Sequence, residues 1–180
     1  MDRSLERFLV EGEPPVVITP GTAHRRASAF FEAAADASRR LGRRALLVTS
    51  HVEQIPAALP PGVLHVRFAP FGRLLPRCAA VVHHGGIGTC SRGLQAGIPQ
   101  LAMPMAFDQP DNAARLSRLG VGASLSPQRF TGPRVAQALE ELLGSRAVID
   151  ACRAWREKSA GDGAERAADL LERFATVRAS

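Results

Sequence analysis

The stretch Ala80-Val81-Val82-His83-His84-Gly85-Gly86-Ile87-Gly88-Thr89, continuing as Cys90-Ser91-Arg92-Gly93-Leu94-Gln95-Ala96-Gly97-Ile98-Pro99, decides the fold of this chain. An apolar run gives way to glycines, and a helix-compatible segment follows that stops at Gly97 with Pro99 two residues on. The pattern predicts a buried strand, a glycine turn and a short helix. Gly85, Gly86 and Gly88 let the backbone take positive φ and approach a ligand closely, while the first amides of the new helix point outward. Such a helix start carries about half a positive charge, so a phosphate group is its natural guest, with His83, His84 and Thr89 beside it. Glycines between strand and helix also occur where only a tight turn is needed. Two nucleotide fingerprints do not fit: no Lys-Ser/Thr pair follows the glycines, and Gly-Gly-Ile-Gly is not G-x-G-x-x-G. Cys78, His83, His84 and Cys90 match no standard zinc spacing, and no metal is expected.

Outward from this segment, apolar runs alternate with amphipathic ones. Val16 to Thr19, Ala45 to Thr49, Val63 to Phe68, Ala79 to Val82, Leu101 to Met103 and Val121 to Leu125 read as strands. Between and after them the spacing predicts helices. Ser4 caps a short one over Leu5 to Leu9, and a long one runs from about Ala23 to Leu41 with a stripe of Ala27, Phe30, Phe31, Ala34 and Ala37. A helical turn follows Phe71. Asp108 or Asp111 caps a helix with Pro110 in its first turn, Thr131 caps one from about Pro133 to Leu143, and Ser145 caps one to about Lys158. A last helix spans Ala164 to Phe174. Alternation of this kind predicts an α/β fold: one Rossmann-like, doubly wound parallel sheet of about six strands with C-terminal helices. Ligands of such sheets bind beyond the carboxyl ends of the strands. The loops at Gly21-Thr22, Phe68-Pro70, His83-Thr89 and Asp108-Gln109 all follow strands and should rim one crevice.

Composition bounds the function. A length of 180 residues supports one well-cored domain, and 46% hydrophobic with 22% charged residues is ordinary for a globular protein. The net charge of +6 comes from arginine, Lys158 being the sole lysine. The arginines are dispersed singly or in pairs such as Arg25-Arg26 and Arg43-Arg44, with no run interleaved with aromatics, so a field that gathers small anions is expected rather than a nucleic-acid partner. Cys78, Cys90 and Cys152 form no disulfide framework. No run reaches the length of a membrane span, the first residues lack a signal peptide's apolar core, and a cytoplasmic location is expected. His24, His51 and His65 carry no motif.

The run His83 to Thr89, then Ala96-Gly97-Ile98-Pro99, Pro104, and Asp108-Gln109 with Asn112-Ala113 and Arg115 resembles the donor-binding signature of inverting GT-B glycosyltransferases. The likeness is to the bacterial antibiotic, macrolide and sterol branch, related to the UDP-sugar transferases of plants and animals, and spans residues 14 to 158. The resemblance implies that Gly21 and Thr22 touch a diphosphate and that Phe68 to Pro70 pack on a nucleoside base. It implies that His84 hydrogen-bonds the phosphate held by Gly85, Gly86, Gly88 and Thr89, and that Asp108 and Gln109 bond the sugar hydroxyls. The donor would be a UDP- or dTDP-sugar, with no cofactor and no metal. On the residues alone, His84 could be an ordinary satisfied histidine, Asp108 only a helix cap, and Phe68 either core or platform. Arg92 departs from the pattern, standing where plant members carry a ribose-binding glutamate. The resemblance further implies a second, N-terminal domain with the acceptor pocket and catalytic base. The chain is therefore expected to be the donor half alone, whether a fragment, a truncated product or a subunit completed by a partner chain. Its last helix is expected to leave Leu170, Leu171 and Phe174 exposed. Other readings are a non-catalytic nucleotide-sugar module, half of a sugar-nucleotide epimerase, and a dinucleotide oxidoreductase, the last supported by architecture alone.

Overall fold

Short strands without a solvent face must lie inside a sheet covered on both sides, and that is where these lie. The computed structural model describes residues 3–22, 27–161 and 163–178. Six strands, β1 (Val16–Thr19), β2 (Ala45–Val48), β3 (Val63–Val66), β4 (Ala80–His83), β5 (Gln100–Ala102) and β6 (Gly122–Ser124), form one parallel sheet in the order β3-β2-β1-β4-β5-β6. Winding reverses between β1 and β4. That switch point is where an open α/β sheet parts its loops and leaves a crevice. The register pairs Thr19 with His83, so the loops leaving β1 and β4 begin side by side.

The helices are α1 (Arg3–Val10), α2 (Ser28–Leu41), α3 (Phe71–Leu74), α4 (Ile87–Ala96), α5 (Gln109–Arg118), α6 (Gly132–Gly144), α7 (Arg146–Lys158) and α8 (Gly163–Arg178). Alternation along the strands sorts them into two layers. Val16, Ile18, Ala45, Leu47, Ala80, Val82 and Leu101 pack with Phe30, Phe31 and Ala34 of α2 and with Val135 and Leu139 of α6. Phe30 stacks on Phe130 just before α6, with ring centroids 4.9 Å apart. On the opposite face Val17, Leu46, Val48 and Val81 meet Leu5 and Leu9 of α1 and Leu74 of α3. A third cluster joins Cys90 of α4 to Ala102, to Ala113 and Leu116 of α5, and to Cys152 of α7. Cys78 belongs to the α1 cluster and Cys90 to the third, and all three thiols are free and buried.

Helix boundaries refine the sequence reading. Ala23 to Arg26, which include His24 and the expected start of the long helix, lie outside the described residues. Ser145 caps α7 as expected, its hydroxyl accepting from the Val148 amide at 3.4 Å. Ser4 instead lies within α1. Asp108 and Thr131 occupy the cap positions of α5 and α6 without a capping side-chain bond. In α8, Leu170, Leu171 and Phe174 are exposed, as expected for that helix.

Glycine sets how closely α4 approaches the sheet. A methyl group at Gly93 would overlap the fully buried amide of Gln100, lying 2.6 Å from its Nε2. Gly93→Ala is expected to lower unfolding free energy by about 1–3 kcal/mol, the usual effect of overpacking. Gly144→Ala, at a position with no atom within 4 Å, should be neutral or stabilising by up to about 1 kcal/mol. Urea titration of both variants measures the contrast.

Candidate anion and nucleoside site

The two histidines of the central motif part company. His83 is the last residue of β4 and shares a face with Val81, the face that α4 covers, so its ring is carried into the interior. Burial, with the neighbouring His84 second, pushes its pKa down to about 3 and keeps the imidazole neutral. The Gly85 amide donates to its Nδ1 at 3.0 Å, which fixes the tautomer: Nε2 carries the proton and donates to Gln100 Oε1 at 3.1 Å. Gln100 Nε2 then donates to the Cys90 carbonyl in α4 at 3.2 Å. This corrects the expectation that His83 faces a ligand. Both its nitrogens are engaged within the protein, and the ring holds the turn against the sheet and helix.

One residue on, His84 has left the strand and stands at the crevice. Its ring occupies space that two glycines leave open. A methyl group at Gly21, where φ is +83°, would come within 2.5 Å of His84 Cε1, and one at Gly86 would lie 2.9 Å from the same atom. The sequence reading assigned these glycines to ligand approach; they also make room for an imidazole. The Thr19 hydroxyl accepts from the Gly21 amide at 3.2 Å and pins that loop. Gly86 is the cap residue of α4, and the amides of Thr89 and Cys90 both return to its carbonyl. The Ile87 and Gly88 amides therefore remain at the open end of the helix, where the macrodipole favours an anion.

These groups line a cavity of about 620 Å³. Gly21, Thr22, His84, Gly86, Gly88 and Thr89 are part of its wall, together with Arg67, Phe68, Pro70, Phe71 and Arg92. Phe68 is 79% exposed and so is not part of the core. Arg92 reaches from α4 toward Gly72 and bonds Gln95 Oε1 at 2.9 Å. No aspartate or glutamate is among the lining residues described. The cavity thus joins an aromatic platform to a helix start through a wall whose charges are cationic.

Gly85, Asp108 and Gln109 are not part of this wall. Gly85, at φ +90°, lies against the Gln109 backbone, and Gln109 Oε1 accepts from the amides of Met105 at 2.9 Å and Ala106 at 3.2 Å. Asn112 Nδ2 bonds the Gly85 carbonyl at 2.9 Å and Asp108 Oδ2 at 2.7 Å. The β5–α5 loop is therefore fastened to the glycine turn, with Asp108 oriented by Asn112. Sequence reasoning placed Asn112 in the signature without assigning it a contact, and it did not single out Gln100. Spacing offered one clue, since Asn112 lies four residues after Asp108 and shares its helix face.

Comparison with known proteins places the chain. Residues 45–171 match the family described as "Erythromycin biosynthesis protein CIII-like, C-terminal domain". The chain belongs to this family. It is 38% identical over 179 residues to the O-mycaminosyltylonolide 6-deoxyallosyltransferase of Streptomyces fradiae, covering 97% of this chain and 41% of that protein. It is 32% identical over 159 residues to the aclacinomycin-T 2-deoxy-L-fucose transferase of Streptomyces galilaeus, covering 83% of this chain and 36% of that protein. Its fold matches the calicheamicin glycosyltransferase CalG4 with a TM-score of 0.79 at 25% identity, over 91% of this chain and 42% of that one. The glycotransferase of kitacinnamycin gives 0.78 at 29%, over 91% and 43%. The sheet and helices are those of the GT-B glycosyltransferases, and the chain spans about two fifths of the length of such relatives. Among the described residues, no helix is long and apolar enough to cross a membrane.

The buried His83 gives the domain a defined pH response. The folded state keeps the ring neutral down to about pH 3, whereas the unfolded chain takes up that proton near 6.5. Below 6.5 the unfolded state binds more protons, so this contribution is complete above 6.5 and is lost as pH falls toward 3. The slope approaches about 1.4 kcal/mol per pH unit. Urea midpoints between pH 7.5 and 5 should fall more steeply for the native chain than for His83→Gln, which is expected to be less stable at pH 7.5.

Proposed function

We propose that this domain binds the nucleoside-diphosphate sugar, a UDP- or dTDP-sugar, of an inverting glycosyltransferase that acts on a hydroxylated small molecule such as a natural product, macrolide or sterol. The observation that carries the reading is the single cavity in which the exposed face of Phe68, the imidazole of His84 and the open amides of α4 converge. The base lies against Phe68 and Pro70, and the diphosphate meets Gly86 to Thr89. Departure of the nucleoside diphosphate places new negative charge on its phosphate oxygens. Amides and an imidazole already oriented toward that position stabilise the charge without reorganising. Two relatives whose names state transfer of a deoxy sugar, the 6-deoxyallosyltransferase and the 2-deoxy-L-fucose transferase, support the same assignment.

Catalysis requires a second surface. A hydroxyl acceptor must be held in line with the anomeric carbon, and that alignment is a large part of the rate. An acceptor domain, whether a further part of the polypeptide or a partner chain, closes over the carboxyl edge of the sheet and carries the general base. The exposed Leu170, Leu171 and Phe174 of α8 are an apolar surface available to it.

Thermal unfolding with UDP, dTDP, their glucose conjugates and NAD tests the assignment. A ligand present at about one hundred times its dissociation constant adds roughly 2.7 kcal/mol. Stabilisation by UDP or dTDP species is expected, and His84→Ala should abolish it while the variant remains folded. Gly86→Ala, which displaces the His84 ring, should do likewise. Stabilisation by NAD alone, or by no nucleotide, contradicts the assignment.

A further inference from the structure

The loop that follows β5 carries a feature its own packing does not require. Phe107 is, among the described residues, the one non-glycine with positive φ, at +56°, and it is 95% exposed. A bulky residue in the left-handed region is held at an energetic disadvantage, and an aromatic ring in water adds to it. Hydrogen bonds hold the backbone on both sides of it. Gln109 ties the amides of Met105 and Ala106, and its own amide returns to the Ala106 carbonyl at 3.2 Å. Asn112 ties Asp108 to the Gly85 carbonyl. A segment fastened this firmly on both sides of an exposed ring presents that ring.

Its place in the sheet says to what. The strand order sets the loops of β3, β2, β1, β4 and β5 in a row along the carboxyl edge. The cavity occupies the β3-to-β4 part of that row, its lining including Phe68 after β3 and His84 after β4. This step rests on the nucleotide reading above: with the base at Phe68 and the phosphates at α4, the sugar attached to the second phosphate continues toward the β5 loop. There it meets Phe107 and, next in sequence, the Asn112-oriented carboxylate of Asp108. A hexose has hydroxyl edges and C–H faces, so a carboxylate beside an exposed aromatic ring suits it.

We infer that Phe107 is a positioning residue for the transferred sugar, its ring packing on the apolar C–H face of the hexose while Asp108 accepts from a hydroxyl. The contact orients the sugar at the mouth of the site and touches no reacting atom. It also favours hexoses that present few hydroxyls on that face.

Calorimetric titration of the chain with dTDP, UDP and their glucose conjugates reads this directly. Phe107→Ala is expected to weaken binding of the nucleotide sugars about five-fold, the effect of removing roughly 40 Å² of apolar contact, and to leave dTDP and UDP unchanged. Phe107→Gly relieves the left-handed backbone, and its thermal midpoint should equal or exceed that of the native chain while its nucleotide-sugar affinity falls like that of the alanine variant. Equal weakening of free nucleotide and nucleotide sugar would make the ring a structural part of the nucleotide site and overturn the inference. Unchanged nucleotide-sugar affinity with intact nucleotide binding overturns it and leaves the donor-site reading standing. Failure of the native chain to bind any of these ligands removes both.

Discussion

The hydrogen bonds through the buried ring of His83 are the constraint on which the site depends. A glycine-rich turn has many conformations, and only one of them aims the start of α4 into the crevice. Gly85 donating to Nδ1, Nε2 donating to Gln100, and Gln100 reaching the Cys90 carbonyl select it. Every member lies in the interior, where an unpaired polar group is costly, so the chain of bonds acts as a unit. Gly93 admits Gln100, and a methyl group at Gly122 would meet the Gln100 backbone. Two glycines that do not line the cavity thus serve the same turn.

A division of labour follows. The inner histidine must stay neutral, because a protonated ring could no longer accept from Gly85. The outer histidine is free of that duty and stands at the cavity with glycines on either side of its ring. Asn112 and Gln109 extend the rigidity to the β5 loop, so the glycine turn before α4 and the loop that carries Phe107 share one frame. In the proposed reaction, preorganisation of this kind would let fixed dipoles act on the departing phosphate without moving first.

Much of this was legible in the residues. Strand runs lacking a polar face gave a doubly wound parallel sheet, and loop positions after strands gave the crevice. The likeness of His83 to Thr89 and of Asp108-Gln109 to a donor signature led to the family that the chain proves to belong to. Roles of individual side chains were harder to read. Adjacent histidines look alike in a sequence, and only strand alternation, carried one residue further than expected, puts His83 inside and His84 outside. Asp108 fills a cap position, yet its carboxylate accepts from Asn112 rather than capping the helix, and the loop before it takes the left-handed path through Phe107. That path has no sequence signature: phenylalanine is a poor residue for a left-handed turn, and tertiary bonds hold it there.

The most direct test of the account is a nitrogen-15 NMR titration of the chain with dTDP, resolving each backbone amide. The account predicts the largest shift changes at Gly86, Ile87 and Gly88, with smaller ones at Gly21 and Phe68 and the Gly85 amide still protected from exchange by His83. Saturable changes confined to another surface, or none at all at Gly86 to Gly88, would contradict it.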